Sequence, residues 1–261
     1  MRKIIYLLMS LSLVAFASCS DDDRENASSN GGSSVFKSGT ENGHDYVDLG
    51  LTSGTRWATC NVGASKPQDY GNYYAWGETT TKSIYSESTY KFGSTAELTK
   101  YCSKSKYGKY GFTDSKTTLD LSDDAAYVNW GGKWRMPTKT QQDELREQCY
   151  WVWTGSYNGS GIGGYIVYKV KAEADKGVTI EKYMSPLSSY SLSDAHIFLP
   201  AAGCRSDDGL DDAGSGADYW SSSLRTDYPF DAWHISFYVD FVDYGFIDGR
   251  YYGRSVRAVC K

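Results

Sequence analysis

The sequence lacks a surplus of positive charge, since 27 Lys and Arg stand against 32 Asp and Glu. Without Arg2 and Lys3, which fall in a segment expected to be removed, 25 basic residues face 32 acidic ones, a net charge near −7. Nucleic acids and anionic lipid surfaces attract basic proteins. The charge balance therefore makes both of them poor candidates for a partner.

Cysteine spacings typical of metal sites are also missing. Outside Cys19 there are five cysteines, and none of them shows the C-x-x-C spacing of a zinc site. An odd number leaves at least one thiol unpaired, even where export permits disulfides. Cys60 and Cys260 both lie on expected core strands near the ends of the domain, where a bridge and two buried free thiols are both compatible with the sequence.

Histidine is scarce, which restricts a Ser-His-Asp triad to three imidazoles. His44 borders a polar N-terminal stretch, His196 opens an apolar strand and His234 lies in an aromatic C-terminal segment. Each position is better explained by a structural or contact role. We therefore expect a binding protein and not an enzyme.

An acidic loop is the one segment that resembles a calcium site in composition. Oxygen-rich loops bind calcium, but the spacing of these aspartates fits no EF-hand. We expect a solvated acidic loop, with no metal and no cofactor. The aspartates are Asp207, Asp208, Asp211, Asp212 and Asp218.

The chain begins with a pattern typical of a secretory signal. Residues 1–3 are a basic start, and residues 4–17 are mostly apolar but too short to span a bilayer as a helix. Residues 13–19 resemble a bacterial lipobox, in which the cysteine, here Cys19, is lipidated and becomes the first mature residue. Residues 20–23 resemble the acidic export tag of Bacteroidota surface lipoproteins. These resemblances imply an outer-membrane lipoprotein that is anchored through Cys19 and faces the cell exterior.

The rest of the chain divides into a tether and one domain. Residues 24–40 are rich in Ser, Gly and Asn and too poor in apolar side chains to bury a core, as in a flexible tether. We predict a signal peptide at 1–18, a tether at 19–42 and a ligand-binding domain at 43–261. Roughly 220 residues suffice for one all-β or mixed domain.

Strand patterns dominate the domain. Residues 46–51 and 56–62 predict a β-hairpin, and residues 73–76 a further aromatic strand. Residues 79–118 are polar and weakly periodic, which favours an elaborated surface loop. Later strands are predicted at 165–171, 196–199, 219–223 and 255–260.

Two helices are expected between these strands. Ser122 is a candidate N-cap for a short helix that reaches about Asn129. Thr138 and Gln141 have capping-box spacing and predict a second helix that runs to about Tyr150.

The segment 234–253 has an unusual composition, since it contains no Lys, Glu, Gln or Met and repeats Tyr, Asp, Gly and Ser. Recognition loops have this composition, and an aromatic antiparallel sheet is the alternative. Simple alternation from Ile235 puts Phe241 inward. A turn at Val239 and Asp240 instead puts Val242 inward and Phe241 outward, because one residue of slip exchanges the faces of a strand.

Six ordered stretches form a recognisable pattern: YVDLGLTSGTRWATCNVGA at 46–64, YYAWGE at 73–78, GGKWRMPT at 131–138, IFLPAAG at 197–203, YWSSS at 219–223 and SVR at 255–257. Together they resemble the Fibrobacter succinogenes major paralogous domain, over about Gly43 to Lys261. The run RMPT is also similar to the helix start of formylglycine-generating enzymes, whose fold is a variant of the C-type lectin fold. The resemblance implies an α+β, C-type-lectin-like fold with two helices, antiparallel sheets, paired terminal strands and a ligand face near the C-terminus.

The resemblance to formylglycine-generating enzymes does not imply their activity. Those enzymes use two neighbouring cysteines at a copper site, whereas Cys204 and Cys260 are isolated in this sequence. A shared fold does not carry a function with it.

Related domains serve as the variable proteins of diversity-generating retroelements, in which adenines of a C-terminal coding repeat are replaced. When the adenines of an Asn codon are replaced, the third base stays a pyrimidine, so the new residue always has a codon that ends in a pyrimidine. Every residue of 234–253 has such a codon. The positions that resemble diversified Asn codons are His234, Ser236, Tyr238, Phe241, Asp243, Tyr244, Gly245, Phe246, Ile247, Asp248, Tyr251 and Tyr252. They flank fixed-looking residues, namely Trp233, Phe237, Val242 and Arg250, and this pattern favours the turn at Val239.

All of these positions except Gly245 and Ile247 are expected to contact a ligand. The sequence thus predicts a cell-surface lipoprotein that binds an extracellular protein or glycan through this face. The alternative is a structural or adhesin subunit of a surface assembly, and a formylglycine-generating-like enzyme is the third interpretation.

Overall fold

The computed structural model describes residues 36–243 and 247–261, and only the backbone of Ile247 and Asp248. The predicted signal peptide, the predicted lipidation site Cys19 and the acidic run after it lie outside the described residues, as do Tyr244 and Phe246. The described chain has an α+β fold in which sheets predominate and two α-helices occur. This confirms the coarse fold class expected from the sequence.

The elements follow one another as expected for a mixed domain. The strands are β1 (Gly39–Glu41), β2 (His44–Val47), β3 (Arg56–Ala58), β4 (Tyr73–Tyr74), β5 (Cys149–Thr154), β6 (Gly164–Lys169), β7 (Thr179–Ile180), β8 (His196–Pro200), β9 (Gly216–Leu224), β10 (Asp231–Tyr238), β11 (Phe241–Asp243), β12 (Ile247–Gly249), β13 (Arg254–Ser255) and β14 (Val259–Cys260); the helices are α1 (Ala125–Trp130) and α2 (Lys139–Gln148). Neighbouring strands are antiparallel, apart from the pairs β5 with β7 and β9 with β13. No helix in this part of the chain is long and apolar enough to cross a bilayer.

The first sheet has the order β1-β2-β3-β14 and joins the two ends of the domain. Trp57 lies opposite Val259, so the last strand pairs with β3, the third strand of the chain. The predicted hairpin is present as β2 and β3. β1 lies inside the stretch predicted to be a tether. It pairs with β2 through polar residues, for example Thr40, whose hydroxyl donates to Asp45 at 2.8 Å. β1 therefore lacks the alternating apolar residues by which a strand is recognised in a sequence.

The second sheet has the order β7-β5-β6-β8. The predicted strands at 165–171 and 196–199 correspond to β6 and β8. β5 was not predicted, because it follows α2 directly: its first two residues were assigned to the helix end and residues 151–154 to no element. α2 ends at Gln148 and not near Tyr150, since the aromatic run that follows is buried as a strand.

The third sheet has the order β11-β10-β9-β13-β4, and β12 also pairs with β10. Tyr238 lies opposite Phe241, which confirms the hairpin turn at Val239 and Asp240. Phe237 is fully buried and Val242 packs against the same core cluster, whereas Phe241 is 38% exposed. The inward and outward faces of the hairpin are therefore those expected.

The predicted closing strand is two short strands, β13 and β14, in different sheets. Arg257 lies between them and is 1% exposed. Its guanidinium donates to Asn61 Oδ1 at 2.9 Å and to the Phe198 carbonyl at 2.7 Å. The chain passes from one sheet to the other around this buried cation.

The two helices begin at side-chain caps. Thr138 and Gln141 form the predicted capping box of α2. The predicted N-cap Ser122 of α1 is wrong, because it lies in a single 3₁₀ turn. Asp124 caps α1 instead, and its carboxylate accepts hydrogen bonds from the backbone N–H groups of Tyr127 and Met136.

The long loop 79–118 contains three single 3₁₀ turns and no strand among its described residues. Buried aromatic side chains hold it against the domain, among them Tyr85, Tyr90 and Tyr101. All five cysteines of the described chain are free thiols, so Cys60 and Cys260 form no bridge with each other.

Candidate ligand-binding face

A pocket of about 330 Å³ opens on the outer face of the third sheet. It is hereafter called the C-terminal pocket. Four of the predicted contact residues line it: His234, Ser236, Tyr238 and Tyr252. The pocket also includes Asp218 and Arg254 and one wall from the loop 204–212.

Strand alternation explains why three of these residues meet there. Successive side chains of a strand point to opposite faces, so His234, Ser236 and Tyr238 share one face of β10. Ile235 and Phe237 fill the opposite face, where they are buried in the core. On β9, Gly216 lies opposite Tyr238, and a Cβ atom there would approach the Tyr238 ring to 2.8 Å.

The floor of the pocket is a buried group of charged and polar side chains. Arg254 is 2% exposed, and its Nε donates to Asp218 Oδ2 at 3.1 Å. Its guanidinium also lies 4.2 Å from the Trp220 ring centroid and 5.6 Å from that of Tyr252. Burial would raise the pKa of Asp218, but the charge of Arg254 holds it below its ordinary value. The floor is thus the ion pair of Arg254 with Asp218, and the guanidinium of this pair lies near the Trp220 and Tyr252 rings.

His234 completes this floor as a neutral imidazole. Burial, together with the charge of Arg254, lowers its pKa from 6.5 to about 3. Its Nδ1 lies 3.4 Å from Arg254 Nη1, and its Nε2 lies 3.7 Å from Asp218 Oδ1. Because a guanidinium can only donate, the contact with Arg254 needs Nδ1 as its acceptor.

Two of the positions that resemble diversified Asn codons, His234 and Ser236, are buried. His234 is 2% exposed and Ser236 is 4% exposed, although both line the pocket. The loop 204–212 covers this part of the sheet, with Cys204 paired to Asp211 beside it. Composition and alternation give the face of a residue but not what the rest of the chain places over it.

Tyr238 forms the rim of the pocket and connects it to the acidic loop. Its hydroxyl donates to Asp212 Oδ2 at 2.5 Å, and this hydrogen bond raises the pKa of Tyr238. Its ring centroid lies 5.2 Å from that of Phe241. The acidic loop is therefore a wall of the pocket, at Asp211 and Asp212, and not only a solvated segment.

The remaining predicted contact residues lie outside the pocket lining. Phe241 and Asp243 lie on β11 opposite Tyr238 and Ser236, on the same face of the sheet. Tyr251 stacks beside Tyr252, with ring centroids 4.5 Å apart, and packs partly against the core. Tyr244, Phe246 and the side chain of Asp248 lie outside the described residues.

Arg250 holds the backbone next to this face. It is 1% exposed, and its guanidinium donates to Tyr90 Oη at 2.9 Å and to the Pro229 carbonyl at 2.7 Å. A buried cation is tolerated where its N–H groups find such acceptors. The structure therefore gives this fixed-looking residue a scaffold role.

Sequence reasoning missed two parts of the face. Asp218 and Arg254 were not assigned to it, because their meeting depends on the pairing of β9 with β13. The loop that contains Tyr183 was also missed. It contacts the hairpin turn, where the Lys182 N–H donates to the Val239 carbonyl at 2.9 Å. Tyr183 is 86% exposed next to the hairpin turn, a signal that only the fold reveals.

The other reactive groups have structural partners. His196 bonds to Tyr157 Oη at 2.8 Å, and His44 stacks on Trp130 with ring centroids 3.9 Å apart. Burial raises the pKa of the Cys204 thiol in the pocket wall to about 12. Within the described residues no group of three or more His, Cys, Asp or Glu is arranged to hold a metal ion.

Comparison of the chain with protein-family profiles, with curated proteins and with solved structures finds no match.

Proposed function

We propose that this protein is an outer-membrane lipoprotein that binds an extracellular protein or glycan through the C-terminal pocket and the hairpin beside it. One observation carries the proposal: His234, Ser236, Tyr238 and Tyr252 were selected from sequence alone as contact residues, and all four line one pocket. Ligand sites are concave and combine apolar walls with a few convergent polar groups. A Tyr rim above an Asp–Arg floor fits this description.

A C-type-lectin-like fold is the finer interpretation of the α+β architecture. The sheet that joins β14 to the N-terminal strands, the helix that starts after Thr138 and the hairpin near the C-terminus support it. The calcium-dependent sugar binding of many lectins is not part of the proposal. The ligand is instead held by shape and contact, without turnover.

Retroelement diversification of this face is a second part of the proposal. Arg250, Arg254 and Arg257 are all buried, and Arg250 holds the backbone next to the hairpin at the Pro229 carbonyl. Phe241 and Asp243 are exposed on it, so these two positions tolerate exchange. A neighbouring copy of the 3′ coding segment with adenines at the variable positions, together with a reverse transcriptase gene, is the expected genomic context.

The binding proposal is tested with glycan and extracellular-protein arrays, probed first with the intact chain. We expect Tyr238→Ala and Tyr252→Ala each to weaken binding to the strongest array ligand at least about five-fold, as for residues that cost more than about 1 kcal/mol on truncation.

Tyr110→Ala is the matched control, since its side chain is 96% exposed in the 109–111 turn and lines no part of the pocket. It is expected to leave binding unchanged. Equal losses for all three variants, or no loss for any of them, would contradict the assignment of this face.

A structural or adhesin subunit is the second candidate function. Tyr183 and Met184 are 86% and 51% exposed, and their loop is bonded to the hairpin turn through Lys182. Exposed apolar side chains that are continuous with a Tyr-rich face favour a protein partner. Binding to protein spots alone, with loss on Tyr183→Ser, would support this candidate over a glycan binder.

A further inference from the structure

The loop 104–112 is a basic and aromatic surface on a chain in which acidic residues outnumber basic ones. It contains Lys104, Lys106 and Lys109 but no Asp or Glu, and the triplet Lys-Tyr-Gly occurs in it twice. Residues 104–112 are called the lysine loop below. The loop lines no part of the C-terminal pocket. Its charge is therefore a separate feature of the molecule.

The positive charge of the lysine loop is hardly neutralised by its surroundings. Lys106 and Lys109 form no ion pair with any described residue. Lys104 Nζ lies 4.0 Å from Asp227 Oδ1, but both side chains are exposed, so water weakens this pair. The surface therefore favours an anionic partner.

Tyr110 stands at the tip of the loop, and its side chain is 96% exposed. Its φ is +53°, a left-handed conformation that is unfavourable for residues other than glycine. Five consecutive residues, 109–113, are exposed, and Phe112 is one of them. Neither the exposure nor the backbone conformation of Tyr110 stabilises the fold, so contact with a partner explains them better.

The base of the lysine loop is held in place. The Leu98 N–H donates to the Tyr107 carbonyl at 2.8 Å, and the Leu98 carbonyl accepts from the Lys109 N–H at 2.9 Å. Leu98 is 1% exposed, and the Tyr107 ring packs against Phe230 with ring centroids 5.0 Å apart. The tip is thus fixed before any contact is made, which lowers the entropy cost of binding.

The shape of the tip selects among anionic partners. A side chain that is 96% exposed has no wall beside it, so the lysine loop is a protrusion and not a groove. A polyanionic chain is held in a positively charged groove, and a folded protein needs a surface of matching shape. A bilayer closes around a protrusion: aromatic rings are accommodated at the level of the headgroups, and lysine side chains reach the phosphates.

We propose that the lysine loop inserts into the headgroup region of an anionic phospholipid membrane, with Tyr110 at its tip. The rings of Tyr110 and Phe112 lie among the headgroups, and the three lysines contact lipid phosphates. Each lysine close to an anionic surface strengthens the attraction about five-fold.

The net negative charge of the whole chain disfavours such a surface but does not prevent this contact. At physiological ionic strength, charges that lie more than about 8 Å from the membrane are largely screened, so the lysine loop decides the local attraction. The proposal depends neither on the ligand of the C-terminal pocket nor on a lipid anchor.

Lysine acylation of the full chain in the presence of vesicles, followed by mass spectrometry, tests the proposal. The vesicles contain phosphatidylcholine alone or phosphatidylcholine mixed with phosphatidylglycerol. Lys106 and Lys109 are expected to react at least about five-fold more slowly with the anionic vesicles, and about 0.5 M NaCl is expected to remove most of this protection. Lys66 and Lys182, which are exposed on other loops, are expected to react equally with both. Equal rates for all four lysines would overturn the proposal.

Tyr110→Ala tests the insertion of the ring, because it changes no charge. It is expected to raise the lipid concentration that gives half-maximal protection of Lys106 about five-fold, through loss of a buried aromatic side chain. Tyr183→Ala is the matched control, since Tyr183 is 86% exposed and has Lys182 Nζ 5.4 Å from its ring centroid but lies outside the lysine loop. Equal effects of the two substitutions would contradict the proposal.

Lys104→Gln tests the local charge, and it is expected to raise the same lipid concentration about five-fold. Lys66→Gln removes one positive charge elsewhere and is expected to leave it unchanged. Equal shifts in both variants would mean that net charge and not the lysine loop attracts the membrane, and the proposal would fail. Tyr238→Ala is expected to leave the protection unchanged, so this proposal and the one on the C-terminal pocket fail separately.

A soluble acidic polysaccharide is the competing occupant, because its carboxylates also pair with lysines. Polygalacturonate, added with neutral vesicles, is the probe. If it protects Lys106 and Lys109 and anionic vesicles do not, the lysine loop binds a polymer and the proposal fails. Protection by anionic vesicles that polygalacturonate does not reproduce supports it.

Discussion

At the scale of single residues, His234 is a group whose ionisation the fold alters strongly. The imidazole is held between Arg254 and Asp218, with a pKa of about 3 in place of 6.5. Below about pH 6.5, His234 therefore binds a proton in the unfolded chain but not in the folded chain, so acid favours unfolding.

The pH dependence of stability tests this assignment. Between pH 6.5 and about pH 4.5, His234 alone is expected to remove about 2 kcal/mol from the free energy of unfolding. His234→Gln has no titratable group there, so its stability is expected to fall by that much less over the same range. Urea denaturation of both proteins at the two pH values measures the difference. Parallel curves would mean that His234 titrates normally.

At the scale of elements, the loop 204–212 decides the shape of the C-terminal pocket. It leaves the sheet at Gly203, where φ is +65° and a Cβ atom would lie 2.0 Å from the Asp211 carbonyl oxygen. The close approach of these two backbone segments brings Asp211 and Asp212 to the rim. A side chain at this position would push the wall of the pocket away from β10.

Gly203→Ala is expected to lower the free energy of unfolding by about 2 to 3 kcal/mol, through both backbone strain and the clash. Gly214→Ala is the matched control, because Gly214 also has positive φ, +88°, but nothing lies within 4 Å of its Cβ position. Its expected cost is about 1 kcal/mol. Chemical denaturation compares the two variants, and equal costs would show that the approach to Asp211 is not restrictive.

Local rules predicted some elements well and others poorly. Thr138 and Gln141 specify the start of α2 within four residues, so the capping box was predicted from the sequence. The N-cap of α1 was misplaced because Asp124 is fixed not only by Tyr127 in the helix but also by Met136, twelve residues away, and this second contact has no local signal. β5 was missed because burial on both faces removes the alternation by which a strand is recognised.

The same distinction applies to the candidate site. The face of each hairpin residue follows from alternation and from the turn at Val239, and both were predicted. The burial of His234 and Ser236 follows from the loop 204–212, and the contact of His234 with Arg254 follows from the parallel pairing of β13 with β9. These are long-range contacts that no local pattern encodes.

At the scale of the whole molecule, the described chain combines a rigid frame with one face whose side chains differ greatly in burial. Phe241 and Asp243 are exposed on β11, whereas His234 and Ser236 are buried beneath the loop 204–212. If the frame alone fixes the backbone, substituting the side chains on β11 lowers the free energy of unfolding little. Substituting those on the pocket floor lowers it more.

The double variant Phe241→Ser with Asp243→Ser is expected to change the free energy of unfolding by less than about 1 kcal/mol, as surface substitutions generally do. His234→Ala with Ser236→Ala is expected to cost about 2 to 4 kcal/mol, because it leaves a cavity and removes partners from buried charged groups. Urea denaturation of the two double variants at neutral pH measures both costs. Similar costs would mean that the outer strand is itself part of the frame, and that a diversified face on this fold would have to exclude β11.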